Sequence, residues 1–371
     1  MHLLDRYIFR EWLKIFAMTI SALVGLMLIG RIFDDMPHFI RWDVPGLVAL
    51  RYFALQVPSY LPMVIPVALL ISVLFILGFF HRNQELTAMR ATGLSIFRIT
   101  RVLWLSGAAL SILLFSLNGT IVPWATERAR MIYEAGEFEF VARKPTDNEK
   151  MPGQMSLFYA GASVRRTWTI NRFSGYTGRG IGVSIYQDDE QGRPVKAWLA
   201  HFGYYDARLG HWVLEDGREL IYDPEKNQLL REPPFKRLEL KELTEQPRLM
   251  LALNKKPHHL SINEIKGVLE MSGGGKTPRM AAYAVQYHYV LASPFCCLIV
   301  IGLALPFAVA GVRVNPMVGV SKSLVLFAAY YLLTNLCFLL GSQQYFPPVI
   351  AAWLPNLFMF ALAAWLCRRV N

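Results

Sequence analysis

The chain has 371 residues, 54% of them hydrophobic and only 18% charged, with a formal net charge of +11 at pH 7. That balance is too apolar for a soluble globular protein of this length and indicates several membrane spans flanked by basic residues, rather than a nucleic-acid-binding surface. The four cysteines, Cys296, Cys297, Cys337 and Cys367, all lie in apolar runs without CxxC or Cys/His spacing. Neither a disulfide framework nor a metal or other cofactor is expected.

The N-terminal MHLLDRYIFREWLK is amphipathic and basic, and the 16 residues from Ile15 to Gly30 carry no charge. They read as a first span of about 24 Å, retained rather than cleaved, with Lys14 and Arg31 reaching toward opposite interfaces. Asp34 to Arg51 reads as a short loop. The second span, Tyr52 to Phe80, carries Pro58, Pro62 and Pro66 on one face, so its outer half is expected to be kinked or broken, as a tolerated bend or as a moving joint.

His81 to Ser95 is a polar loop between two apolar runs. From Arg82 to Thr92 it lacks Gly and Pro, is rich in helix formers, and meets Gly93 where a helix would stop. The spacing predicts a surface helix of about three turns with Leu86, Met89 and Arg90 on one face and Arg82 and Glu85 on a neighbouring stripe. Such a mixed face suits docking on another protein. The third span follows over Val102 to Thr126.

Residues 127–279 have the composition of a soluble domain inserted between spans three and four. The runs SLFYAG, RTWTINRF, IGVSIYQ, KAWLAHF, HWVL and RELIYD read as strands, and Ile181, Val183 and Ile185 show the period of a half-buried strand. DDEQG and YDPEKN read as turns. The expectation is an antiparallel sandwich or partly open barrel with an apolar interior, ended by a helix whose capping box is Ser261 and Glu264. SGGGKT is not a phosphate loop, because Glu270 stands where the first glycine is required and a helix precedes the glycines.

Met280 to Val312 supplies span four, Arg313 and Lys322 bracket a short basic loop, and Ser323 to Cys367 holds two spans broken at GSQQYFPPV. The reading gives residues 1–126 to spans one to three, 127–279 to the inserted domain and 280–371 to spans four to six. Even parity puts both termini on one side, and the short segments of that side hold Arg6, Arg10, Lys14, Arg82, Arg90, Arg98, Arg101, Arg313, Lys322, Arg368 and Arg369. By the positive-inside rule that side is cytoplasmic, and the inserted domain lies outside.

LDRYIFREWLKIF, QELTAMRATGLS, the WTINRF, GVSIYQ and GHWVLEDG strings, PFCCLIVIGLALPFAV and AAWLPNLFMF resemble, in order and spacing, the LptF/LptG (YjgP/YjgQ) family of lipopolysaccharide export permeases. The resemblance implies an α-helical membrane protein with six transmembrane helices and an inserted all-β, jellyroll-like periplasmic domain in the bacterial inner membrane. It implies a permease of an ABC transporter that pairs with a sister permease subunit and a cytoplasmic ABC ATPase dimer. That transporter would extract lipopolysaccharide or a related glycolipid and pass it to periplasmic bridge proteins toward the outer membrane.

It further implies that the helix of Arg82, Glu85, Leu86, Met89 and Arg90 couples to the ATPase, with Glu85 at the family's acidic position. Arg31 stands where the family places a basic residue facing the glycolipid. Pro37 and His38 replace lysines of some members, and Arg41 is the residue that could compensate. The chain itself holds no ATP-binding motif, so the permease is not expected to be an enzyme. A membrane enzyme would have to use His258, His259 or His288, which no carboxylate or serine constellation accompanies; a scaffold or assembly factor without transport is the other alternative.

Overall fold

The computed structural model describes residues 3–142, 154–161, 165–174, 179–189, 191–206, 210–223, 228–243, 250, 256–271, 278–309 and 316–368. SGGGKT and Arg313 lie outside these described residues, as does Arg369. The chain divides into two compact units: Met1–His38, Gly46–Ala129 and Ala284–Asn371 form a helical one, and Phe39–Pro45 with Arg130–Tyr283 form the other.

Among the described residues, 6 helices are long and apolar enough to cross a membrane. Helix α1 (Leu3–Arg41) continues through most of the expected first loop, so the turn to α2 (Gly46–Arg82) is confined to residues 42–45. The i,i+4 pair of Arg31 and Asp35 holds the turns that a loop would otherwise occupy. Of the kink or break expected at Pro58, Pro62 and Pro66, the break is absent, since α2 is continuous through all three. Its apolar residues from Val64 to Phe80 are largely buried, including Ala68, Leu69 and Val73, and this packing holds the helix despite the missing donors.

The predicted surface helix is shorter than expected. Gln84 adopts φ 59 in the left-handed region, so Arg82 closes α2 and only Glu85–Ala91 forms α3. Span three also differs: α4 (Ile96–Ser116) passes through a π-helical turn at Leu117–Ile121 into α5 (Val122–Ala142). Residues 127–142 are therefore helix rather than the start of a β-domain. Glu127, Ala129, Met131 and Ala135 are strong helix formers, and Arg130 pairs with Glu134 at 2.6 Å one turn on. In the second unit, the edge of Trp42 meets Tyr133 at 4.9 Å, and a Cβ at Gly136 would come within 3.0 Å of Val44.

Among the described residues seven strands are present: β1 (Gln154–Gly161), β2 (Arg166–Ser174), β3 (Arg179–Asp188), β4 (Pro194–Asp206), β5 (His211–Asp223), β6 (Gln228–Arg231) and β7 (Pro234–Leu240). They form one antiparallel sheet in sequential order from β1 to β6, with β7 also on β5. This antiparallel meander bears out the expected all-β insertion, and its strands lie in one continuous sheet. HWVL and RELIYD are one strand because Asp216 and Gly217 keep register with β4 rather than turning the chain. Only glycine fits at 217, where a Cβ would stand 2.4 Å from the Leu199 carbonyl oxygen.

The expected apolar face is present: Trp168, Ile170, Val183, Ile185 and Trp198 share one side through the pairs Trp168↔Ile185↔Trp198 and Ile170↔Val183, and all are buried. The described residues of DDEQG lie between β3 and β4, where Asp189 accepts the amides of Gln191 and Arg193 at 2.8 and 2.9 Å. The Arg193 amide, followed by its guanidinium and the Gln191 amide, holds this carboxylate below the usual range. The capping box is formed as read: Glu264 Oε2 accepts the Ser261 amide at 3.0 Å at the start of α6 (Ile262–Met271).

Span four is interrupted. Helix α7 (Pro278–Ala292) gives way at Pro294 to a 3₁₀ turn, Ser293–Phe295, before α8 (Cys296–Val309). The Cys296 amide turns to Ser293 and Pro294, leaving the Ala292 carbonyl without its helical donor. Asn356 of α10 (Pro348–Arg368) supplies one, its Nδ2 donating to Ala292 O at 2.6 Å while its Oδ1 accepts from the Tyr330 hydroxyl of α9 (Pro316–Ser342) at 2.5 Å. Three helices meet in this buried link. Asn356→Leu is expected to lower stability in detergent by about 1 kcal/mol, read as a lower thermal midpoint, with Tyr330→Phe costing less because the Ala292 contact survives.

Candidate functional site

One end of the helical unit is built around α3. Asn83 and Gln84 turn the chain, and the Ala88 amide donates to the Gln84 carbonyl at 2.9 Å as α3 begins. At its far end the Thr92 hydroxyl donates to Met89 O at 2.7 Å, Gly93 takes φ 81, and the Ser95 side chain then caps α4 through the Arg98 amide. A seven-residue helix has little stability of its own, so packing must hold it.

Leu86 does this. It is 2% exposed and belongs to one apolar cluster with Ile8, Trp12, Phe80, Ile99 and Leu103, against which Met89 also packs. These two residues therefore anchor α3 inward instead of forming an outward docking face, a correction to the predicted grouping. Arg82 and Arg90 are exposed, and Arg82 stands on α2 rather than on the short helix. What α3 presents outward is Thr87, Ala88 and Arg90, with Glu85 partly exposed beside them.

Glu85 is not a solitary surface charge. The Tyr7 hydroxyl of α1 donates to its Oε2 at 3.1 Å, and the Tyr7 ring stacks on Phe80 with centroids 5.7 Å apart. Two residues earlier in α1, the buried Asp5 takes a double contact from the Arg101 guanidinium of α4. Trp12 Nε1 donates to Ser72 Oγ of α2 at 3.1 Å. The start of α1 is thus tied to α2, α3 and α4. Asp5 and Tyr7 carry no role in the sequence reading, and Arg101 enters it only as one of the cytoplasmic charges; the usable sign is that Asp5, Ile8 and Trp12 fall at i, i+3 and i+7, which puts an acid on the buried stripe.

The other predicted cluster sits at the α1–α2 corner. Arg31 Nε lies 2.6 Å from Asp35 Oδ2, Arg31 Nη2 donates to the Tyr52 hydroxyl at 3.0 Å, and that hydroxyl donates to the same Asp35 oxygen at 2.6 Å. Asp35 rather than Asp34 is the partner, and it is buried. The Arg31 side chain retains 41% exposure, so one edge of the guanidinium faces outward. Arg41 is not brought into this cluster: it belongs to the other compact unit, where its guanidinium lies 5.5 Å from the Phe140 ring centroid.

The β-domain holds an open cleft of about 900 Å³ lined by Gly182, Leu199, His201, Arg218, Phe235 and Lys236 among others. Arg218 is paired across it with Glu232 at 2.9 Å. His258 and His259 occupy a 3₁₀ turn with ring centroids 4.2 Å apart, and His258 titrates below the ordinary histidine range through desolvation and then the nearby Lys256. His288 stands edge-on to Tyr287 at 5.4 Å.

The corner triad yields a contrast between neighbouring acids. Asp35→Ala strands a partly buried guanidinium and is expected to destabilise the protein by about 2 kcal/mol, whereas Asp34→Ala, at an exposed position, should change it by less than about 0.5 kcal/mol. Thermal midpoints of the two variants in one detergent check this, and equal shifts would remove the structural role of the triad.

Comparison with known proteins identifies the whole chain at once. The family model described as lipopolysaccharide export system permease LptF/LptG matches residues 6–369. The lipopolysaccharide export system permease protein LptG of Escherichia coli K12 is 24% identical over 369 residues, covering 99% of this chain and 98% of the relative, and the protein of the same name from E. coli O6:H1 matches equally.

Proposed function

The chain belongs to the LptF/LptG family of lipopolysaccharide export permeases, and from that membership we propose that it is one permease subunit of a transporter driven by a separate cytoplasmic ATPase. The observation that carries this is the match over residues 6–369 of a chain whose described residues hold 6 membrane-length helices and one inserted antiparallel sheet. The protein would reside in the inner membrane with a sister permease and an ATPase dimer, take up lipopolysaccharide or a related glycolipid, and deliver it to periplasmic bridge proteins.

The orientation follows from charge. Arg6, Arg10, Lys14, Arg82, Arg90, Arg98 and Arg101 belong to the segments of the α3 end, against Arg31, Arg41 and Arg51 toward the α1–α2 turn, which supports cytoplasmic termini and a periplasmic β-domain. Single cysteines tested in a cysteine-free background, Gln191→Cys in the β-domain and Thr87→Cys in α3, should then differ. An impermeant thiol reagent applied from the periplasm is expected to label only the first, and equal labelling of both would overturn the orientation.

In this reading the ATPase acts on α3. Arg82, Glu85 and Arg90 meet it, while Leu86 and Met89 transmit the displacement, because a side chain packed at 2% exposure cannot move without its neighbours. Glu85, the acid of α3, enters a basic pocket of the partner, where a desolvated pair is worth far more than a surface charge. At the other end, the exposed edge of Arg31 and the exposed Arg41 offer planar donors to lipid phosphates.

Affinity purification of the permease from membranes should bring down both an ATPase and a second permease. Glu85→Ala is expected to reduce glycolipid release from the reconstituted complex more than tenfold while leaving the permease folded and inserted. Full release by this variant would end the coupling role.

A further inference from the structure

The coupling reading leaves open what fixes the Glu85 carboxylate in place. Helix α3 does not do so itself: Glu85 is its first residue, and Gln84 at the N-cap contributes no side-chain hydrogen bond. A carboxylate on a free first turn would sample several rotamers and meet its partner at an entropic cost. The hydrogen-bond partner of this carboxylate comes from α1. Its inner stripe is fixed by the Asp5–Arg101 contact, by Ile8 at 1% exposure and by the Trp12–Ser72 hydrogen bond, and Tyr7 lies beside that stripe.

We infer that Tyr7 is a positioning residue for Glu85, so that the N-terminal segment of α1, and not α3 alone, sets the geometry of the site that receives the ATPase. The inference rests on the coupling role proposed for Glu85. The Tyr7 ring is held by stacking on the buried Phe80, the residue that precedes the α2–α3 turn by less than one helical turn. Its hydroxyl donates to Oε2 of Glu85, and among the described residues no other hydrogen bond or ion pair to that carboxylate is present. Oε1 is left to accept a donor from a partner, and the hydroxyl favours one rotamer of Glu85 before the partner arrives. Both groups are partly open to solvent, so the arrangement orders the carboxylate without hiding it.

The measurement is the dissociation constant between the purified permease, in complex with its sister subunit, and the isolated ATPase. Four forms are compared: the unaltered chain, Tyr7→Phe, Glu85→Ala and the double variant. Tyr7→Phe keeps the ring on Phe80 and removes only the hydroxyl, so an unchanged thermal midpoint is expected with about fivefold weaker ATPase binding. In the Glu85→Ala background the same substitution should have no further effect, because the group being positioned is gone. A fivefold loss in both backgrounds would make Tyr7 a structural residue and overturn the inference. Tighter binding by Tyr7→Phe would overturn it as well, since the hydroxyl would then be competing with the partner. If Glu85→Ala binds normally, the coupling reading falls and this inference with it; if Glu85→Ala is impaired and Tyr7→Phe is not, only this inference falls.

Discussion

The close packing of α2 against the Cys296–Val309 helix is the contact on which the helical unit depends. Both lie in spans whose most apolar windows are 67% buried, whereas that of the first span is 6% buried and that of the Ser321–Ser342 span 17%. In hydrocarbon no hydrophobic force drives two apolar helices together, so association must come from close fit and from interhelical hydrogen bonds. Small residues supply the fit at the crossings. Gly107 abuts Ile301, Gly302 faces Ala363, and Gly341 meets Ala351 and Val285 so closely that a Cβ there would stand 2.4 Å from the alanine methyl. The outer helices are then attached by polar links: Trp12 to Ser72, Asn118 to Ser293, and Asn356 to both Tyr330 and Ala292.

In the proposed reading the same division organises function. A buried pair of helices forms the fixed part, and the helices with little burial inside the chain carry most of the surface left for lipid or for other subunits. The short α3 is attached to the fixed part through Leu86 and to α1 through Tyr7 and Glu85, so a force applied there reaches a packed core and a peripheral helix together. The basic residues around it are exposed while its acid is held, an asymmetry that favours one geometry of approach over many.

Much of this was legible in the sequence because it depends on local composition. Apolar runs located the six membrane-length helices, the two-residue alternation of Ile181, Val183 and Ile185 marked a buried strand face, and the Ser261–Glu264 spacing marked a helix start. What was illegible depends on partners distant in the chain. Asp34 and Asp35 are equivalent in sequence, and only Tyr52 on the next helix decides that Asp35 is the buried member. Arg82 looked continuous with Glu85 until the left-handed conformation of Gln84 separated them. The Asp5–Arg101 and Tyr7–Glu85 contacts join residues 96 and 78 positions apart, a separation no periodicity can report. The strand order, too, was hidden, since the same alternating segments serve a jellyroll, a barrel or a meander.

The π-helical turn at Leu117–Ile121 has a consequence for how sequences of this kind compare. The Val122 amide there reaches back five residues to Leu117 instead of four, and Pro123, which has no amide to lose, follows at once. The turn thus stores one residue beyond the regular helical count. Removing any single residue within it would restore a uniform helix and leave the later side chains, the inward-facing Ala125 and Ala129 among them, close to their present face. The same deletion in a regular stretch of the helix would swing every later side chain by about 100° about the axis. A one-residue gap in an alignment therefore keeps the inward stripe when it falls at this turn and breaks it when it falls elsewhere in the helix.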